Sequence, residues 1–137
     1  MCLPPVGQSR FAMLQLDKVV SDRGSKYAVS GGTVASSTQA MDFLKSLKTK
    51  KKFAKATHNT WAVIYRDGAG KETIAKSDDG ESGAGMIIVR MLEREAVFNH
   101  IVVVTRWYGG VHLGGDRFRH VQSCVNAYLN HAKLAKS

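Results

Sequence analysis

Two hydrophobic periods divide the chain. Residues 101–104, Ile-Val-Val-Val, are consecutive β-branched positions, the pattern of a strand buried on both faces. That strand is expected to stop at Thr105-Arg106. Residues 13–20 alternate in part and predict a first strand. Asp22-Arg23-Gly24 reads as a turn, and residues 26–34 as the strand after it. Within that second strand, Gly31-Gly32 points to a bulge or a close backbone approach. Ser36-Ser37-Thr38-Gln39 has the spacing of a capping box. Behind it Ala40, Phe43, Leu44 and Leu47 fall on one side of a helix over residues 37–48. Residues 60–66 and 72–77 flank the turn Asp67-Gly68-Ala69-Gly70 and predict a hairpin, with His58-Asn59 just ahead of it. Residues 83–95 predict a second helix with a wide apolar face. A third opens at Asp116 and carries Phe118, Val121, Val125 and Tyr128 on one side.

The order β-β-α-β-β-α-β-α predicts an α+β fold, a two-layer sandwich of mostly antiparallel sheet with helices on one face. At 137 residues the chain is long enough for one domain with a real core. Residues 1–12 are expected to be a flexible N-terminal tail and 13–137 the domain. Two cysteines, Cys2 and Cys124, make no disulfide framework and fit a reducing, cytoplasmic setting. No run of about 18 apolar residues is present, so no membrane span or membrane partner is expected. The opening Met-Cys-Leu-Pro-Pro-Val-Gly lacks the basic and apolar regions of a secretory signal.

Charge adds a direction. The balance of 20 Lys+Arg against 11 Asp+Glu gives +9. Residues 1–60 carry 10 basic and 3 acidic side chains, so the positive field is lopsided. Its densest part is Lys45, Lys48, Lys50, Lys51, Lys52 and Lys55. Lysines complement a helix C-terminus, which accounts for two or three of them. The remainder suits contact with RNA, a ribosome or an acidic protein. Phe53, Trp107 and Tyr108 lie next to basic residues and could stack on bases.

The candidate chemistry sits in two loops. Ser77-Asp78-Asp79-Gly80-Glu81-Ser82 leads into the second helix, either as a capping turn or as a wall of a pocket through Asp79 and Glu81. Arg106-Trp107-Tyr108 runs into Gly109-Gly110, His112 and Gly114-Gly115, a loop that either turns tightly or cradles an anion. It matches neither nucleotide-binding glycine motif. His120 and Cys124 have a zinc-compatible spacing, but Cys124 falls on the apolar face and no companion motif exists, so no metal or cofactor is expected. Ser77 or Ser82 with His58 and Asp79 lacks the nucleophile elbow of a hydrolase. The acidic turn, the Arg106 guanidinium and the glycine loop are expected to converge on one concave patch.

Thr57-His58-Asn59-Thr60-Trp61-Ala62, Asp78-Asp79-Gly80-Glu81 and Val102 through Phe118, with Asp22-Arg23-Gly24-Ser25-Lys26-Tyr27 upstream, resemble the IMPACT family, the domain also called UPF0029. The likeness spans residues 16–131, and the Arg106-Trp107-Tyr108-Gly109-Gly110 stretch resembles the eukaryotic branch. It implies the fold of the second domain of ribosomal protein five of the small subunit. It also implies a non-enzymatic interaction domain linked to translation regulation, as in regulators of the amino-acid-starvation kinase pathway. Implied partners are a translation-associated protein or the ribosome, with RNA and actin as further possibilities. An RNA- or ribosome-binding module is the alternative reading, and a small-ligand or hydrolytic domain a more distant one. Carried onto this chain, the binding positions are His58, Asn59, Asp79, Gly80, Glu81, Arg106, Gly109, Gly110, Gly114, Asp116 and Arg117. The chain shows neither the RWD domain that precedes this one in eukaryotic regulators nor the second domain of bacterial relatives. Its Asp-Gly-Glu is followed by Ser-Gly-Ala-Gly in place of the bacterial Pro-Ser-Gly-Thr-Ala-Gly.

Overall fold

Residues 13–136 are described by the computed structural model, and the expected tail lies outside them. The elements are β1 (Leu14–Asp22), β2 (Ser25–Thr33), α1 (Ser37–Lys48), α2 (Lys51–Ala54), β3 (His58–Arg66), β4 (Glu72–Ser77), α3 (Ala84–Arg94), β5 (His100–Trp107) and α4 (Asp116–His131). The five strands form one sheet in the order β1-β2-β5-β3-β4, with every neighbouring pair antiparallel.

The apolar run puts β5 at the centre. Side chains alternate across a strand, so Val102 and Val104 face one way and Ile101 and Val103 the other. Val102 and Val104 join Tyr27, Val29, Ala62 and Ile64 under α3 and α4, whose Ile88, Leu92, Val121 and Val125 are fully buried. Each such side chain contributes about 1.5–3 kcal/mol on leaving water. Ile101 and Val103 join Ala28 and Val63 under α1 and α2, against Phe43, Leu47 and Phe53. The expected α+β class and antiparallel sheet hold, and α3 and α4 share one face. The α1–α2 pair covers the other, so helices lie on both faces rather than on the one expected, as a strand apolar on both sides requires. The single-turn α2 falls in the lysine run, and Phe53 is the one buried residue of that turn. One apolar side chain gives no period to read.

Two boundary shifts matter for function. β3 begins at His58, so His58-Asn59 belong to the strand rather than preceding it. β5 continues through Arg106 and Trp107, beyond the expected stop at Thr105-Arg106. Pairing to β2 and β3 holds the strand in register after the apolar residues end. Gly31-Gly32 marks a close approach, not a bulge. Pairing with β5 is unbroken there, and a Cβ on Gly31 would stand 2.3 Å from the Tyr128 ring. The Tyr128 hydroxyl is 2.6 Å from His100 Nε2. The bulge lies in β1 between Leu16 and Val20, where Lys18 takes φ +51°. Half of the expected capping box forms: Ser36 Oγ accepts from Gln39 N, while Gln39 Oε1 accepts from Ala35 N, one residue before the cap.

Candidate functional site

Register builds the floor of the site. Tyr27 pairs with Arg106, and Arg106 with His58, so three strands set these residues in one row on the α3–α4 side. Arg106 is 4% exposed. Its Nη1 donates to Glu81 Oε1, and its Nη2 to Ser25 Oγ at 3.3 Å. The guanidinium carbon lies 5.7 Å from the ring centres of both Tyr27 and Tyr108. Glu81 is 2% exposed. Burying either charge alone would be strongly unfavourable, and each is the other's compensation.

Glu81 reaches Arg106 because the acidic turn is bent to deliver it. Asp79, Gly80 and Gly83 all have left-handed backbone, with φ of +46°, +91° and +87°. Gly80 also passes so close to His58 that a Cβ would sit 2.9 Å from Nδ1. The neighbouring carboxylates hold the turn. Asp78 accepts the backbone N–H of Gly83 and of Gly85 at the start of α3, and the Gly83 bond leads in holding its carboxyl below the usual range. Asp79 accepts from Asn59 N at 2.7 Å. The Asp79 carbonyl lies 2.8 Å from His58 Nδ1. A carbonyl only accepts, so that nitrogen carries the proton. His58 Nε2 then faces Glu81 Oε1 at 3.8 Å.

The glycine loop closes the other side. Gly109 packs on the β1–β2 turn, where a Cβ would fall 2.1 Å from the Gly24 carbonyl carbon. Its N–H donates to Ser25 Oγ at 3.1 Å, the same oxygen that receives Arg106. Tyr108 N donates to Thr57 Oγ1. Between the acidic turn and this loop lies a half-open cleft of about 470 Å³. Expected residues lining it are His58, Gly80, Glu81, Arg106, Tyr108, His112, Gly114 and Arg117, joined by Thr57 and Leu113. The acidic turn, the guanidinium and the glycine loop thus share one concavity.

Other expected site residues lie elsewhere. Asn59 and Trp107 each follow a lining residue along a strand and so face the opposite side. Asn59 is buried, donating to Phe53 O and accepting from Thr105 Oγ1. Trp107 packs edge-on against Phe53, with Nε1 donating to Lys52 O. The Asp79 carboxylate is taken by Asn59, so only its backbone serves the site. Gly109 acts through the Gly24 contact, and Gly110 is exposed with φ +92°. Asp116 bridges Arg23 and Arg119 rather than entering the cleft. Ser25, which joins Arg106 to Gly109, was missed by chemical motifs. Its signal was the Asp22–Tyr27 stretch.

Outside the cleft, Asp22 is held at about 2 by its hydrogen bonds to Arg23 first and His120 second. The zinc-compatible pair separates: His120 bonds Asp22, while burial pushes the Cys124 thiol up to about 12. Among the described residues no group of three or more His, Cys, Asp or Glu could hold a metal. No helix there is long and apolar enough to cross a membrane.

Beyond Tyr108, which it shares with the cleft, a groove of about 420 Å³ is lined by Asp17, Lys18, Lys26, Tyr27, Lys52 and Trp107, among others. Lys52 Nζ stands 5.3 Å above the Trp107 ring and pairs with Asp17. All six lysines of the run are exposed.

A family model, the Impact N-terminal domain, matches residues 23–129. The Protein IMPACT homolog of Saccharomyces cerevisiae is 41% identical over 106 residues, covering 76% of this chain and 41% of that protein. The chain thus spans about two fifths of that relative. A solved structure of the two-domain translational regulator Yih1 is 33% identical with a TM-score of 0.58, covering 96% of this chain and 54% of that one. The crystal structure of a hypothetical protein is 24% identical with a TM-score of 0.72, covering 87% of this chain and 57% of that one, and shows the fold alone.

Proposed function

The chain belongs to the family of the Impact N-terminal domain, and from that premise we propose that it is a non-enzymatic, cytoplasmic interaction domain in translation regulation. The observation that carries this reading is the family match over residues 23–129, reinforced by the likeness of 96% of the chain to a translational regulator. The partner we favour is a translation-associated protein with an acidic surface. Its contact is the face carrying Lys45, Lys48, Lys50, Lys51, Lys52 and Lys55, where exposed like charges crowd one end of α1 and the turn of α2. Long-range attraction would speed the encounter and make it sensitive to salt.

The site chemistry supports binding over covalent catalysis. Ser25 Oγ is already an acceptor for Gly109 N and Arg106 Nη2, and Thr57 Oγ1 accepts from Tyr108 N. Neither hydroxyl shows the base-to-nucleophile bond of an activated oxygen.

Affinity purification from the source cell tests the reading, with a nuclease-treated arm. Capture of translation factors or ribosomal proteins that survives nuclease, and that falls with salt and with Lys50, Lys51 and Lys52→Glu, is the expected outcome. Capture abolished by nuclease would move the reading to RNA. Capture of actin, or of nothing from the translation apparatus, would refute it.

A further inference from the structure

We propose that the cleft beside Arg106 is a binding site for a phosphate monoester. The donor and acceptor balance of its wall carries the inference. Among the described residues Glu81 is the one carboxylate lining the cleft, and Arg106 occupies it. Arg117 lines the cleft from the first turn of α4 and, among the described residues, has no ion pair, since the neighbouring Asp116 is taken by Arg23 and Arg119. Both arginines have an Nε that is buried and, among the described residues, without an acceptor. Arg106 itself is 4% exposed, so this N–H is not a loose surface group. Buried donors are nearly always satisfied, and two guanidinium groups that each keep an unmet N–H behind the wall favour an anion in the cleft they line.

The shape of the wall selects among anions. Arg106 rises from the sheet floor on β5, Arg117 comes from α4, and His58 from β3. The His58 proton is already given to the Asp79 carbonyl, so the donors are the two guanidinium groups, whose forked N–H pairs match the terminal oxygens of a phosphate. Guanidinium groups are the side chains best matched to phosphate. The cleft is also larger than the anion. Its volume of about 470 Å³ lies in the range of small-molecule sites, and Tyr108 and His112 stand with ring centres 5.5 Å apart along it. An ester whose body lies on this aromatic wall, with its phosphate on the arginines, uses both features. The source is either a free phosphorylated metabolite or a phosphorylated side chain of a protein.

Titration of the whole chain with phenyl phosphate, followed by NMR of arginine Nε–H groups, tests this directly. The Arg106 and Arg117 signals are expected to shift together and to saturate. Arg117→Gln is expected to weaken binding about tenfold or more, while Arg119→Gln, on the exposed side of the same helix, leaves it unchanged. Tighter binding of a phosphoserine peptide than of phenyl phosphate would assign the ester to a protein, and the reverse to a metabolite. No shift of the two Nε–H signals would overturn the proposal. So would an equal loss in Arg119→Gln, or acetate binding as tightly as phosphate. The wild-type shifts decide the matter even if Arg117→Gln fails to fold.

Discussion

Arg106 and Trp107 are neighbours in sequence and belong to two different surfaces. Arg106 is nearly enclosed, tied to Glu81 and Ser25, and stacked between Tyr27 and Tyr108. Trp107, one residue on, faces the lysine side, with its ring against Phe53 and under Lys52. The first surface is preorganised: one charge pair held by left-handed turns and close-packed glycines. The second is loose: six exposed lysines on flexible stems. Buried charges depend on each individual bond, whereas exposed charges act by their sum. The two faces should therefore respond in opposite ways to mutation and salt.

The strongest break of that contrast is Glu81→Ala. It strands the Arg106 charge in the interior and is expected to lower stability by about 3–5 kcal/mol. Urea unfolding read by Trp fluorescence measures it, and a loss below about 1 kcal/mol would mean the pair is better hydrated than its burial indicates. Gly109→Ala comes next. Its Cβ would meet the Gly24 backbone at 2.1 Å, which cannot move like a side-chain tip, so a cost of about 1–3 kcal/mol is expected. The same substitution at Gly110, where nothing lies within 4 Å, meets only backbone strain.

A smaller effect concerns pH. Asp22 is held at about 2 against an ordinary 3.8 by Arg23 and His120. A depressed carboxyl stabilises the fold fully above 3.8 and loses that contribution as pH falls toward about 2. Asp22→Asn should flatten the acid limb in that window, and an unchanged limb would remove Asp22 from the account. Smallest of all is the effect of Lys50, Lys51 and Lys52→Glu on folding, expected within about 1 kcal/mol in total. Thermal unfolding checks it. A large drop would mean the lysine face is built into the fold, as the Lys52–Asp17 pair hints only weakly.

The sheet was legible because its strands and long helices carry clean periods. Ile101 to Val104 announced the central strand, and Ala40, Phe43, Leu44 and Leu47 announced α1. The errors cluster where periods end. Arg106 and Trp107 break the apolar run, so the pattern alone predicts a shorter β5, although the alternation of faces continues through them. His58 and Asn59, polar and ahead of the apolar residues, likewise carry no period that assigns them to β3. Those two slips hid the placement of Asn59 and Trp107 on the face away from the cleft. Ser25 was invisible as chemistry because its role exists only once Gly109 and Arg106 are folded beside it. His58, Glu81 and Arg106 were each nameable from sequence. Their convergence was a matter of strand register, which no local pattern encodes.

The central claim is that the lysine face captures a translation-associated protein by charge while the cleft face keeps the fold intact. The most direct test is the affinity of the wild type and of Lys50, Lys51 and Lys52→Glu for the captured partner, measured across a salt series. The account predicts a steep fall with salt for the wild type, and weak binding at every salt for a variant that unfolds at the wild-type temperature. Equal, salt-independent binding by both chains would contradict it.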